Sequence, residues 1–400
     1  MLSQEVEEKL AYILVQRINE LNTSILKKIG STVKTMSTLS VSEAYKLQQM
    51  LKYGGDIQEI AKELSQMTGK SIQEIYEIFE QVATNNKQFA RKFYEYRGMD
   101  YIPYKDDIAL QNQVKSIATL TADLYKNISN TTGIGFLFKD INGQIQFKSI
   151  MQSYDEIIDR GILAITQGKD NFYSVMRNTL KEIGGSGLVL YESGRTRRLD
   201  SAVRMNVLDG MRQLNNETSK KFGAEYNADG VEISVHLNPA PDHADIQGRQ
   251  FSNEEYDKLE DGLEATDYKG HKYNGADKRQ ISHYNCYHKI FSIVLGVSEP
   301  EYTDKQLKEI QENNLKGFEF EGKHYSNYEG TQLQRKIETE IRKAKDTQIL
   351  ARASGDDELV QESQARISLL TKKYNDLCKA SGLLPKKIRM QVAGYKRVKV

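Results

Sequence analysis

Tryptophan is absent from this 400-residue chain, cysteine occurs twice and proline five times. Two cysteines, Cys286 and Cys378, cannot build the framework of a disulfide-stapled secreted domain. Long hydrophobic runs are also missing. The longest, Leu10 to Val15, has six residues, whereas a membrane-spanning helix needs about 20. The acidic opening MLSQEVEEKL has no apolar signal core, so no secretory signal peptide is expected and synthesis in the cytoplasm is. Charge of one sign is lacking too: 56 − 55 leaves +1, which argues against a whole-protein polyanion binder but leaves room for a local patch. An apolar content of 38% with balanced charge excludes global disorder. What is abundant is tyrosine, 23 against 12 phenylalanines, which predicts half-exposed aromatic surface of the kind found at interfaces.

The patterning predicts an α+β protein, mostly α-helical. An elongated helical N-terminal half, a small α/β core with short strands and hairpins, and a C-terminal helical pair are expected. Four segments follow along the chain: 1–104, helical; 105–228, a helical layer with a β-hairpin near 136–147; 229–330, a small α+β core; and 331–400, helices and a basic tail. In the first, Val6, Leu10, Ile13, Leu14, Ile18, Leu21, Ile25 and Ile29 recur at helical spacing, with Gly30 as the expected stop. Ser40 with Glu43, Asp56 with Glu59 and Ser71 with Glu74 predict three short helices by capping-box spacing. Asn142-Gly143 predicts the hairpin turn. Gly184-Gly185-Ser186-Gly187 reads as a linker, since no Lys-Ser/Thr follows it as in a phosphate loop. Arg195, Arg197, Arg198, Arg204 and Arg212 read as a long helix with a solvated face. Val231, Ile233, Val235 and Leu237 alternate with polar residues as in a half-buried strand. Hairpins are expected at 268–273 and 318–325, and helices from Gln332 to Cys378 with a break at Gly355.

All six histidines fall between His236 and His324. Two clusters stand out there. Asp242, His243, Asp245, Gln247, Gly248 and Arg249 follow a strand and two prolines; His283, Tyr284, Asn285, Cys286, Tyr287 and His288 come later. Four readings are open. His243, His283, Cys286 and His288 are zinc-type donors, although neither helix nor strand puts the last three on one face. Cys286 and His243 are candidates for a nucleophile–base dyad. His243, Asp245 and Arg249 suit phosphodiester chemistry. Finally, His243, Asp245, Gln247 and Cys286 suit a buried polar network that pins a loop. Residue types put the network first, metal second and turnover last. In the tail, Lys386, Lys387, Arg389, Lys396, Arg397 and Lys399 are candidates for DNA phosphate contact or a solubilising end.

Pro241-Asp242-His243-Ala244, Gln247-Gly248-Arg249 and Tyr284-Asn285-Cys286-Tyr287-His288 resemble signatures of the phage minor capsid protein 2 family, akin to the Mu F-like head-morphogenesis proteins. Arg197 to Arg212 resembles that family's arginine-spaced helix. Ser298-Glu299-Pro300 fits as well, as does Tyr328 to Arg335, which leads into a helix with Glu338 and Arg342. The resemblance spans about residues 150–380; Tyr287 departs from it, standing where arginine is expected. It implies a non-enzymatic, low-copy head protein carried in the virion. Portal or major capsid protein would be its partner, and head assembly or DNA packaging and ejection its work, with DNA contact through the tail. It implies no small-molecule substrate and no cofactor, with zinc as the exception to test. The enzymatic alternative is a metal- or cysteine-dependent hydrolase using His243, Asp245, Cys286 and His288.

Overall fold

The apolar stripe that begins at Val6 carries one helix well past Gly30, to Met36, with Val33 and Met36 buried beyond the expected stop. The computed structural model describes residues 3–53, 56–129, 132–192, 194–283 and 286–398. In chain order the first elements are α1 (Gln4–Met36), α2 (Val41–Tyr53), α3 (Asp56–Tyr96), α4 (Ile108–Ala122) and α5 (Leu124–Ser129). Next come β1 (Ile134–Lys139), β2 (Ile145–Ser149), α6 (Ile150–Thr166), α7 (Lys169–Ser186), β3 (Val189–Glu192), β4 (Arg195–Arg198) and α8 (Leu199–Glu225). The third group is β5 (Gly230–Ile233), β6 (Gln250–Ser252), α9 (Asn253–Glu260), β7 (Glu264–Thr266), β8 (Lys272–Asn274) and β9 (Ile290–Ile293). The last is α10 (Asp304–Lys316), β10 (Phe318–Phe320), β11 (Lys323–Tyr325), α11 (Asn327–Ser354) and α12 (Asp357–Ser381). The class is mostly helical α+β, as the patterning predicts.

The chain forms two compact units, each drawn from three separate stretches: 1–11, 73–122 and 205–332 in the first, and 12–72, 123–204 and 333–400 in the second. The four consecutive segments describe the order of elements; compactness groups them differently.

The first unit contains a three-stranded antiparallel sheet in the order β6-β5-β9, with Val231 opposite Phe251 and Ile233 opposite Ile290. Its core joins these side chains to Tyr256 and Leu259 of α9 and to Ile281. The expected alternation holds only in part. All four residues of β5 are buried, Glu232 included, because Gln250 Nε2 donates to the Glu232 carboxylate at 2.8 Å. The hairpin at 318–325 forms as expected, and the one around Gly270 is wider than expected, pairing 264–266 with 272–274. Helix α10 was not foreseen; Thr303 and Gln306 form its capping box, a signal present in the sequence.

The second unit holds an antiparallel sheet in the order β2-β1-β3-β4. The hairpin at 136–147 forms with Gly143 at φ +77°. Four expectations are corrected here. Gly30 does not end α1: a Cβ there would lie 2.5 Å from Ala353 Cβ, so the missing side chain lets α11 approach. Ser71 does not cap a helix; it lies inside the 41-residue α3, fully buried, with its hydroxyl 3.5 Å from Met67 Sδ. Residues 184–186 close α7 rather than forming a linker, and Gly187 at φ +61° caps it. Arg195–Arg198 is a strand, paired with β3 from Val189↔Arg198 to Glu192↔Arg195. As an edge strand it needs no apolar alternation, so the sequence concealed it. The Glu43 carboxylate accepts the Ser40 amide and hydroxyl at the start of α2, one half of the expected box, and α11 and α12 meet at Gly355, φ +78°, as expected.

Candidate functional site

Two loops of the first unit converge below β5. After β5 the chain passes Pro239 and Pro241 and makes a helical turn, in which His243 N–H donates to Ala240 O at 3.0 Å and Gln247 N–H to His243 O at 3.1 Å. That i,i+4 relation puts His243 and Gln247 on one side of the turn. Gly248, at φ +68°, then returns its N–H to Ile233 O at 2.7 Å; a Cβ there would strike Leu307 and Val235. The second loop starts with Ser282 at φ +72°, whose hydroxyl donates to His288 O at 2.8 Å. Cys286 N–H donates to His283 O at 2.8 Å, and Lys289 N–H to Ser234 Oγ at 2.9 Å as the chain joins β9.

This geometry brings His243, Cys286 and His288 together, with their donor atoms all within 4.8 Å of one another and exposures of 1%, 5% and 3%. Cys286 Sγ lies 3.4 Å from His243 Nδ1 and 3.4 Å from His288 Nδ1. The far ring nitrogens are also engaged. His243 Nε2 faces Arg279 O at 2.7 Å, and His288 Nε2 faces Gln247 Oε1 at 3.3 Å. Gln247 Oε1 also accepts the His236 amide at 2.8 Å, which fixes its orientation. Asp242 holds Arg279 through a bidentate pair of 2.6 and 3.0 Å and so steadies the carbonyl behind His243.

Burial sets the electrostatics. It lowers both cluster histidines, His288 furthest, and raises the Cys286 thiol. Neutral imidazoles suit metal ligation; a protonated, enclosed thiol does not suit nucleophilic attack. Burial alone would raise Asp242, but its hydrogen bond to Arg279 prevails and holds the carboxyl below its usual range.

The other sequence candidates lie elsewhere. His283 is outside the cluster, facing the Gln213 side chain at 3.3 Å. Asp245 is half-exposed and gives both oxygens to Lys278 at 2.8 Å. Arg249 pairs with Asp304. Asn285 and Tyr284 lie outside the described residues. Arg335, half-buried, belongs to the second unit. Sequence reasoning missed Arg279 and the role of His236, whose ring edge meets His288 at a 4.4 Å centroid separation. It also read Arg212 as surface. Arg212 is fully buried beside Glu7 and Asp209, with its guanidinium 4.1 Å over the Tyr287 ring. Tyr287 thus meets an arginine's charge with its π face.

The basic tail is in the second unit and is not loose. Thr23 Oγ1 donates to Ala393 O at 2.6 Å, and Val398 N–H to Gln364 Oε1 at 3.0 Å. Arg389 is buried, 3.8 Å from Glu338. Lys387, Lys396 and Arg397 are exposed and Lys386 is half-buried, while Lys399 lies outside the described residues. Among the described residues no helix is long and apolar enough to cross a membrane.

In comparisons with known proteins, the family model described as phage minor capsid protein 2 matches residues 8–379. No curated protein and no solved structure matches.

Proposed function

The chain belongs to the phage minor capsid protein 2 family, and from that membership we propose that it is a low-copy structural protein of a tailed-phage head, seated at the portal or the capsid interior and acting in head assembly or in DNA packaging and ejection. The observation that carries this reading is the family match over nearly the whole chain. The signature residues support it. Asp242 holds Arg279, Gln247 orients His288, and Gly248 permits a close turn. These residues fix loops together, which is the work of a folding signature rather than of a reaction centre.

The hydrolase alternative requires His243, Asp245, Cys286 and His288 at one place. Asp245 is taken by Lys278 and Cys286 is buried, which supports the structural reading. DNA contact, if it uses the tail, falls to Lys387, Lys396 and Arg397, because Arg389 is spent on Glu338.

Co-expression with the phage's portal and major capsid proteins tests the proposal. Co-sedimentation with proheads that contain portal, and absence from proheads without it, would place the chain at the portal. Equal recovery from both would place it on the capsid interior. Failure to sediment with either would overturn the assignment.

A further inference from the structure

We propose that His243 Nδ1, Cys286 Sγ and His288 Nδ1 hold a zinc ion as a structural site, fastening the loop after β5 to the segment that enters β9. The hydrogen-bond count points there first. Both imidazoles have the outer nitrogen committed as a donor, His243 to the Arg279 carbonyl and His288 to the Gln247 amide oxygen. Each therefore turns an Nδ1 lone pair toward the same sulfur, at 3.4 Å on both sides. A thiol has one proton and can satisfy one of them. The other would be a buried acceptor without a donor, at a cost of about 1–3 kcal/mol. A divalent cation bound to a thiolate satisfies all three atoms at once.

The two sulfur–nitrogen distances agree. With Zn–S of about 2.3 Å and Zn–N of about 2.0–2.1 Å, the corners of a tetrahedral site stand roughly 3.3–3.6 Å apart. The outer partners Arg279 O and Gln247 fix the tautomers, as the second layer of a metal site does. His236 adds a buried Nε2 that has no hydrogen-bond partner among the described residues, on a ring packed against His288. Imidazole and thiolate are both zinc donors, and three of them leave the fourth tetrahedral position to water or a further donor. Binding balances as Cys–SH plus Zn2+ giving Cys–S–Zn and one proton released to solvent.

The test uses the full chain, purified from zinc-supplemented cells, with metal read by mass spectrometry and a cobalt-substituted sample read by thiolate-to-cobalt absorption. About one zinc per chain and a clear cobalt band are expected. Cys286→Ser, His243→Ala and His288→Ala should each lose both signals, while His283→Ala keeps them. Gln247→Leu should weaken zinc affinity by about 10–100-fold. If the ligand variants fail to fold, the wild-type chain still decides. A chelator should expose Cys286 to alkylation, and zinc should protect it again. A wild-type chain with no zinc and no cobalt band, or a Cys286→Ser variant with unchanged zinc, would overturn the site.

Discussion

Burial pushes the Glu260 carboxyl up to about 7, while its Oε1 accepts the Ile281 amide at 2.9 Å. Between the ordinary carboxylate range and about 7, the folded chain therefore holds a proton that the unfolded chain has released. This contribution to stability is fully present below the unfolded value and is lost as pH rises through the folded one. Glu260→Gln keeps the amide bond and removes the titration. It should raise the melting temperature at pH 8 more than at pH 5; an equal shift at both would contradict the assignment. A second residue-scale case is Asp200, which is 4% exposed and sits between Arg198 at 3.1 Å and Arg342 at 3.3 Å. Asp200→Ala leaves Arg198 with Asp346 alone and takes from the buried Arg342 its ion pair, and should cost about 3–5 kcal/mol in a urea titration. Neither site was legible in the sequence. Nothing in the order of residues says that Arg198 faces Asp346 at 3.0 Å across 148 positions. The His/Cys signature was legible as residue types. Which of its members converge depended on the turn at 240–247 and on an i,i+2 relation at Cys286 and His288.

Glycine carries opposite meanings in two helices of the second unit. Gly30 admits α11, so Gly30→Ala should destabilise by about 1–3 kcal/mol through overpacking. Gly69 lies in α3 with nothing within 4 Å of a built Cβ, so Gly69→Ala should stabilise by about 0.5–1 kcal/mol. Thermal melts of the pair decide the matter; stabilisation by both would mean that α11 leaves room for a methyl group at Gly30. Elements with local signals were readable: the Asn142-Gly143 hairpin, the Gly355 break and the Ser40–Glu43 cap all rest on neighbours in sequence. The errors came where distant contacts overrode local signals. Ser71 has the spacing of a cap but the environment of a core, and β4 is set by pairing with β3 rather than by its own pattern.

Each compact unit gathers three stretches of chain, which local patterning cannot reveal. The first unit depends on its earliest residues: Glu7, 1% exposed, accepts Asn215 Nδ2 at 3.0 Å and pairs with Lys289. At the scale of the particle, the exposed tail cations give a measurable consequence. If Lys387, Lys396 and Arg397 touch packaged DNA, replacing all three with glutamine should reduce the salt slope of duplex binding by about 0.9 per lost contact. An unchanged slope would remove the tail from DNA contact. Family membership supports a phage structural role, and the chain's abundance in the particle is the decisive quantity. Quantitative mass spectrometry of purified, nuclease-washed virions should find it at a few to about a dozen copies per portal ring. Absence from mature particles, with abundance in the infected lysate, would contradict a structural place in the head.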